Sequence, residues 1–473
     1  MFYTNRLPSK KGKAKIVSLG FGTTNTVLDE NLLSQTVSRL NFNCDGSSGA
    51  LKSLYGIEGF ENFVFKNDVL RVWHYVSNDG KSHLIAFCDD YHLYSGNVDN
   101  GEIVKISTEP MSAVPDAVNY RLGEEDVIIF CSAKDTLKVF DGQNFYAIES
   151  APQISSMCVH YERIFGCLDN VLWFSDDLNP TNWNVSATEA GYVEMADDRG
   201  KLLKVVSFAD YLYVFREYGI ARVSAYSSQQ DFAVTQLFVT SGKIYPQTVS
   251  ICGDKILFLS QDGLYLFDGA ETTKLLYDLS GLFDQMENVN ACAEYSGGKY
   301  FLACKLNFGE DVRYSNEQHF QNNAVVVYDL QKGNVSIIRG ADVRFMKNTT
   351  LKNGTLLMCL GGGLGKKVGM LTSSGKLMDT VLPKYWKMPQ SQLGQSLAQK
   401  YLEYIVLITQ ADVTLEVECD GQLHLVEIMG SKLAQKVPLK LSGKTFSFAF
   451  YTENPTLYVS MPRVVYKTYS EEV

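Results

Sequence analysis

The sequence has little of several residue types and patterns on which common site chemistries depend. Its 473 residues include six histidines, and none stands in the HExxH or other paired spacing of a metal site. The ten cysteines contain no CxxC pair, so the clustered ligands of a zinc site are missing from the sequence. There is also no GxSxG motif to present a serine nucleophile. We therefore expect no catalytic residue, no metal and no cofactor, and hence no enzyme.

Long apolar runs are lacking as well. No stretch approaches the ~18 apolar residues that a membrane-spanning helix needs. The basic start, MFYTNRLPSKKGKAKIV, has no apolar core of the kind found in signal peptides. Most cysteines, such as Cys131 in VIIFCS and Cys304 in YFLACKL, lie in apolar strand-like runs and are expected to be small buried hydrophobes in a reducing compartment. These features predict a chain without a membrane span that is made in the cytoplasm.

Positive charge is in deficit. The chain has 53 aspartates and glutamates against 43 lysines and arginines, which gives a formal net charge of −10. A protein that binds nucleic acid without sequence preference gains affinity by neutralising phosphates, and it therefore normally carries a basic face. We expect at most non-specific proximity to DNA, and an acidic wall past which DNA slides without sticking fits the charge.

What the sequence does have is a recurring hairpin. The clearest example is the stretch 161–184, YERIFGCLDNVLWFSDDLNPTNWN, in which two short apolar runs flank Asp169-Asn170. Such an Asx pair takes the positive φ that a tight β-hairpin needs. Similar hairpins recur about every 44 residues between positions 70 and 372, and a polar insert at 307–323 breaks one of them.

A period of about 44 residues with about four short strands in each repeat is typical of a β-propeller. One four-stranded unit has two bare apolar faces, and an array of such units buries each face against a neighbour. We predict an all-β fold with a propeller of about seven blades, six being possible, over residues 66–384. A pair of β-sandwiches also gives strands at regular spacing and stays the alternative.

The repeat is absent from both ends of the chain. Residues 1–65 are predicted to be an N-terminal arm and lead-in, and residues 385–473 a small C-terminal β-sandwich. The basic run of Lys10, Lys11, Lys13 and Lys15 is interpreted as a solvated arm that could also hold a neighbouring subunit or DNA.

These four lysines, together with Trp183 and Trp386, form the possible interaction surface. Aromatic residues exposed on one loop face, such as Trp73, Trp183 or Trp386, would stack on sugars, and each tryptophan could instead be buried in a blade or at a domain junction. If the tryptophans are exposed, the alternative function is a propeller-type interaction or carbohydrate-binding module, or a propeller glycosidase.

Three motifs resemble a known family. The pattern Asn41…Gly49-Ala50-Leu51-Lys52…Gly56-Ile57…Phe60 is similar to the "N…dGaLrkRpG" opening of bacteriophage tail and head–tail hub proteins with a propeller core. The segment RIFGCLDNVLWFSDDLNPTNWN resembles their "RlfgagdnrLyfSdpgdPtnw" hairpin, with matches at Arg163, Phe165, Leu172, Ser175, Asp176, Pro180, Asn182 and Trp183. The region from Tyr385-Trp386 through Val413–Val417 to Asp420-Gly421 is similar to the family's transition into a C-terminal β-sandwich. Lys52-Ser53-Leu54-Tyr55 departs from the arginine-rich end of the opening motif.

The resemblance is to the packaged-DNA stabilisation or tail-hub proteins of short-tailed phages. It implies a virion structural protein of the tail or head–tail connector, located in the tail or neck and made in the host cytoplasm. The implied partners are other copies of the chain in a ring and the adjacent portal, connector or tail proteins. Such a ring would help to close or extend the DNA exit channel and would take part in DNA ejection.

Overall fold

The computed structural model describes residues 13–22, 40–225, 231–283, 286–351, 354–394 and 398–469. Strand accounts for 56% and helix for 4%, which confirms the predicted all-β class. The helical segments are short: Pro246–Thr248, Tyr277–Leu279 and Val312–His319 are 3₁₀ turns, and Ser280–Phe283 is a single α-turn. Among the described residues, no helix has the length and apolar character needed to cross a membrane.

Six four-stranded antiparallel units follow one another along the chain, each joining strands that are consecutive in sequence. Sheet 1 contains Val69–Val76, Ser82–Cys88, Leu93–Asn97 and Ile103–Lys105. Sheet 2 contains Asp116–Leu122, Glu125–Ser132, Asp135–Phe140 and Phe145–Ala147. Sheet 3 contains Ser156–His160, Arg163–Leu168, Val171–Phe174 and Gly191–Glu194. Sheet 4 contains Leu202–Phe208, Tyr211–Arg216, Gly219–Ser224 and Ala233–Val239. Sheet 5 contains Ser250–Cys252, Lys255–Ser260, Gly263–Phe267 and Thr272–Leu275, and sheet 6 contains Cys292–Ser296, Lys299–Cys304, Ala324–Asp329 and Asn334–Arg339.

The hairpin predicted around Asp169-Asn170 is present in sheet 3. Leu168 pairs with Val171, so the two residues between them form the whole turn, and Asp169 has a φ of 52°. A short polar side chain tolerates this left-handed conformation better than a branched one does. The local sequence therefore sets the register of this hairpin.

Sheet 7 draws its strands from both ends of the repeat region. Val343–Thr349, Thr355–Leu360 and Lys367–Thr372 supply three strands, and Gly56–Val64 pairs with the third of them. Two short strands, Lys376–Leu377 and Thr380–Val381, extend its outer edge. An early segment of the chain thus completes the last sheet.

Each of the seven sheets buries both of its faces. Along the second strand of sheet 2, Val127 and Ile129 pack in the core shared with sheet 3, whereas Ile128 and Phe130 pack in the core shared with sheet 1. Because successive strand residues point to opposite faces, an uninterrupted apolar run is what a strand buried on both sides requires.

The cores between sheets follow a cyclic order. Sheets 1 and 2, 2 and 3, 3 and 4, 4 and 5, 5 and 6, and 6 and 7 each share a hydrophobic cluster. A seventh cluster joins Phe60 and Leu357 of sheet 7 to Leu84 of sheet 1. This order fits the propeller, which stays a prediction. Each of these seven described sheets shares a hydrophobic cluster with another sheet on both of its faces.

The remaining strands form two sheets packed face to face. One contains Lys15–Ser18, Cys44–Asp45, Ala50–Ser53, Lys400–Thr409, Ser431–Gly443 and Tyr458–Thr468. The other contains Leu40–Phe42, Lys384–Lys387, Val413–Cys419, Gln422–Ile428 and Phe446–Thr452. Their shared core includes Leu402 and Val464 from the first sheet and Leu415 and Phe448 from the second.

Residues of the predicted lead-in lie in these sheets. Lys15–Ser18 pairs with Tyr458–Thr468, Ala50–Ser53 pairs with the same strand, and Gly56–Val64 belongs to sheet 7. The early and late parts of the chain are therefore joined by strand pairing. The boundaries 1–65, 66–384 and 385–473 stay predictions.

Sheet 6 is continuous with the second sandwich sheet through Phe42, which pairs in parallel with Ile337. Beside this joint the guanidinium of Arg339, only 3% exposed, donates from Nε to both carboxylate oxygens of Glu317 at 3.1 and 2.9 Å. The same guanidinium lies 4.1 Å from the ring centroid of Tyr314 and 4.8 Å from that of Phe42. A desolvated cation over aromatic faces is held firmly, so this cluster fixes the sandwich to sheet 6.

The closing strand of sheet 7 gives a first prediction. A Cβ at Gly56 would lie 2.6 Å from the backbone nitrogen and oxygen of Lys376, whereas a Cβ at Gly59 would meet no atom closer than 3.7 Å. We expect Gly56→Ala to lower the free energy of unfolding by about 1–3 kcal/mol because the strand must move. Gly59→Ala is the matched control and should change it by less than about 0.5 kcal/mol. Urea denaturation measures both, and equal effects would contradict this account of sheet 7.

The buried carboxyl of Glu317 gives a second prediction. Burial raises its pKa from 4.5 to about 7 and outweighs the attraction of Arg339, which acts to lower it. The folded chain thus holds a proton that the unfolded chain releases, and the free energy of unfolding falls as the pH rises from about 4.5 to about 7. The full shift corresponds to about 3 kcal/mol.

The glutamine in the variant Glu317→Gln cannot titrate, so the free energy of unfolding of this variant should lack the pH dependence that comes from Glu317. The difference in free energy of unfolding between wild type and variant, measured by urea denaturation at several pH values, should change by about 1–3 kcal/mol over this range. A difference that is independent of pH would show that the carboxyl is already ionised at pH 4.5.

Candidate functional site: the central cavity

A cavity of about 350 Å³ is lined by the first strands of six sheets. Its wall includes one residue or more from each of sheets 2 to 7, represented in order by Asp116, Cys158, Lys204, Ile251, Glu294 and Lys347. Because the first strands of these six sheets reach the same space, the cavity is the place where the repeats meet.

An ion pair crosses this cavity. Lys204 of sheet 4 donates from Nζ to Oδ2 of Asp116 in sheet 2 at 2.9 Å, and the two side chains are 18% and 21% exposed. Burial acts to raise the pKa of Asp116, but the charge and hydrogen bond of Lys204 lower it below its ordinary value. Burial likewise acts to lower the pKa of Lys204, and Asp116 raises it above its ordinary value. Both groups are therefore charged at neutral pH, and their pairing ties together two sheets that are not neighbours.

Further charges surround the same space. Glu294 of sheet 6 and Lys347 of sheet 7 form a second ion pair with 3.6 Å between Oε2 and Nζ. The guanidinium of Arg71, on the first strand of sheet 1, lies 4.6 Å from the ring centroid of Phe345, which lines the cavity. Burial lowers the pKa of Arg71. The first strands of sheets 1, 2, 4, 6 and 7 thus each bring a charge to the centre.

The charged groups that face the cavity are paired between sheets. Each of the two carboxylates facing the cavity is engaged by a lysine. Burial raises the pKa of the Cys158 thiol, and this keeps it protonated. In the part of the chain that the structure describes, no group of three histidine, cysteine, aspartate or glutamate side chains is placed to hold a metal ion. What these residues do in the structure is bind one sheet to another.

The two tryptophans of the predicted interaction surface are buried, which corrects that expectation. Trp183 is 5% exposed, lies in the core between sheets 2 and 3, and donates its indole N–H to the carbonyl of Pro180 at 2.9 Å. Trp386 is fully buried in the sandwich core, edge-to-face with Phe21 at a centroid distance of 4.9 Å. Neither indole is open to a partner, because each side chain is buried in a hydrophobic core.

The lysines of that predicted surface have separate positions. Lys13 is exposed, and Lys15 is half-buried at the start of a strand, opposite Tyr466. Lys10 and Lys11 lie outside the described residues. Whether the four lysines act together stays a prediction.

The sequence reasoning missed the charges of the central cavity. A usable signal was present, because Lys204 in LLKVVSF and Arg71 in LRVW each interrupt an apolar run in the first strand of a repeat. A charge at that position is expensive to bury unless it has a partner. The partner of Lys204 is Asp116, 88 residues away, so only the fold shows that the two meet.

No protein-family model matches this chain, and no curated protein matches it at a significant level.

The cavity ion pair can be tested against an exposed pair of similar geometry. Lys204→Met would leave Asp116 ionised without its counter-charge, and we expect the free energy of unfolding to fall by about 2–4 kcal/mol. Lys201 pairs with Asp169 at 2.7 Å, but both side chains are more than 60% exposed. Lys201→Met, the matched control, should lower the free energy of unfolding far less, because solvent screens an exposed pair.

The double variant Asp116→Asn/Lys204→Met completes a thermodynamic cycle. It should be less destabilised than the sum of the single variants by at least about 1 kcal/mol, because no unpaired charge remains. Urea denaturation of the four proteins gives this coupling energy. Additive effects would mean that solvent screens the pair and that it does not hold sheets 2 and 4 together.

Proposed function

We propose that the protein is a bacteriophage virion structural protein of the tail or head–tail connector, built on a seven-bladed β-propeller with a C-terminal β-sandwich. In this proposal it assembles as a ring that helps to close or extend the DNA exit channel, and it docks the adjacent portal, connector or tail proteins. Its place is the tail or neck of the particle, and its role in ejection is to guide DNA.

The observation that carries the propeller is the cyclic order of the shared cores. Sheet 7 packs against sheet 1 through Phe60 and Leu357, and it owes its fourth strand to residues 56–64. A pair of sandwiches, the alternative for this region, would bury one face of each sheet and expose the other, and its strands would alternate in polarity. The continuous apolar runs VIIFC and YFLAC favour burial on both faces.

Rigidity supports a scaffold role. The cavity ion pairs tie first strands together, and the Arg339–Glu317 pair fixes the sandwich beside sheet 6. A virion role is supported by the resemblance to phage tail and hub proteins of the opening motif, of the hairpin at 163–184 and of the transition near Tyr385. A component that stays in place while DNA passes needs stiffness and wide surfaces.

The distribution of acidic residues supports passage of DNA without tight binding. In sheets 1 to 5 the turn between the first and second strands carries an exposed acidic residue, namely Asp79, Glu124, Glu162, Asp210 and Asp254. In a propeller these turns lie on one face, and the carboxylates that a neighbouring copy does not cover would repel phosphates. This fits the expectation of at most non-specific proximity to DNA.

The alternative function depended on tryptophans exposed on a loop face. Trp73, Trp183 and Trp386 are each 5% exposed or less. No observation of the structure favours a sugar-binding module or glycosidase over the scaffold.

Purified particles test the proposal. Virions made by cells that encode the chain should contain it at a fixed ratio to the portal protein, measured by quantitative mass spectrometry after density-gradient purification. Gold-labelled antibody should mark one vertex or the tail. Particles assembled without the protein should lose packaged DNA to added nuclease, whereas wild-type particles should retain it. Recovery of the chain only as free protein, absent from particles, would contradict the proposal.

A further inference from the structure

We propose that the open edge of the C-terminal sandwich is a docking surface for a second copy of this chain and that it binds an acidic face of that copy. The surface, called the sandwich edge, consists of Gln422–Ile428, Met429-Gly430 and Ser431–Gly443. This inference deepens the proposed function and rests on it, since it names the contact through which copies would form a ring.

The sandwich edge presents two unpaired strand edges. Within the described residues, Gln422–Ile428 pairs only with Val413–Cys419, and Ser431–Gly443 pairs only with Lys400–Thr409. The two strands end their respective sheets on the same side of the sandwich, because Met429-Gly430 alone joins them. Strand edges with free backbone N–H and C=O groups are the usual place for another chain to add.

Large apolar side chains are concentrated on this edge. Leu423 is 60% exposed, Leu425 62%, Met429 75% and Leu433 77%, and all four lie within eleven consecutive residues. Leu423 and Leu425 stand opposite Glu418 and Glu416 in the neighbouring strand, on the outer face of their sheet. Single exposed apolar residues need no explanation, but such a group marks a surface that another molecule covers.

The positive charge of the sandwich edge indicates which kind of surface binds there. The sandwich edge, residues 422–443, carries Lys432, Lys436 and Lys440 against one acidic residue, Glu427, in a chain whose net charge is −10. Two such edges repel each other, so a symmetric edge-to-edge contact is disfavoured. The complementary surface is therefore acidic and differs from the edge itself.

This chain carries such a surface on its acidic turns. Glu124, Glu162 and Asp210 lie on exposed first turns of three consecutive sheets. Asp79 and Asp254 lie on the sheets at either side, where they pair with Lys81 and Lys255, so the three central turns carry the acidic surface. A contact between the sandwich edge of one copy and the acidic turns of the next uses two different surfaces. Heterologous contacts of this kind generate rings when the rotation between copies closes.

The test compares variants of the full chain by sedimentation velocity over a range of protein concentrations. Wild type should self-associate, and the association should weaken as salt is raised from about 0.05 to 0.5 M, because screening acts on exposed charges. Leu425→Ser/Leu433→Ser should raise the dissociation constant at least about tenfold. Val312→Ser, which removes a 92% exposed apolar side chain elsewhere, is the matched control and should change nothing.

Charge reversal tests the choice of occupant. Lys432→Glu should weaken self-association, and mixing it with Glu124→Lys/Glu162→Lys should restore association between the two variants. Equal association of wild type and all edge variants would overturn the inference. Tight binding of a duplex DNA of about 30 base pairs at physiological salt, lost in Lys432→Glu, would also overturn it, because the edge would then serve nucleic acid.

The outcomes separate this inference from the proposed function. If the chain is present in virions but the edge variants assemble there like wild type, the docking surface is wrong and the virion role stands. If the chain associates through the edge but is absent from particles, the docking surface stands and the virion role is wrong.

Discussion

Burial of both faces of each small sheet is the constraint on which the rest of the structure depends. The strands Glu125–Ser132 and Lys299–Cys304 are apolar at successive positions, so a sheet built on either would expose a hydrophobic face if it had only one neighbour. Each fully buried aliphatic or aromatic side chain contributes about 1.5–3 kcal/mol, so a bare face is costly. A cyclic series of sheets meets this requirement without leaving an end, and this explains why sheet 7 packs against sheet 1.

The same constraint explains how the two ends of the chain are used. A cyclic series needs its last sheet to be complete, and the strand Gly56–Val64 supplies the missing member. Residues just before it enter the sandwich, so Phe42 and Arg339 join sandwich and sheet 6 in one core. The sandwich and sheet 6 therefore share one core, so a change that opened the series of sheets at sheet 6 would also disturb the sandwich.

Local patterns predicted local features well. Asp169-Asn170 set a two-residue turn, and the repeat of short apolar runs indicated strands throughout. Long-range pairing was not predictable in this way, because nothing near Gly56 shows that its partner strand begins at Lys367. For Trp183 the sequence left both exposure and burial open, and the structure shows burial for a physical reason. Its polar neighbours bond to one another, as when the N–H of Asp176 donates to the carbonyl of Asn182, and this leaves the indole free to turn into the core.

The ion pairs of the cavity could not be predicted from local sequence patterns either, because the partners lie far apart in the sequence. A lysine inside LLKVVSF is interpretable as a buried cation only once its carboxylate is known, and Asp116 belongs to another sheet. The composition shows that the chain is acidic, but it does not show where the charges lie. In the structure, acidic residues of five sheets occupy the turn between the first and second strands, whereas several lysines lie on the sandwich edge. Such segregation depends on topology.

An electron cryomicroscopy map of the purified full-length chain tests the central claim most directly. We predict seven four-stranded sheets around one cavity, with the density of residues 56–64 in the sheet that contains 343–372 and with that sheet packed against residues 69–105. Two stacked sheets in the region 69–372, or residues 56–64 placed away from sheet 7, would contradict it.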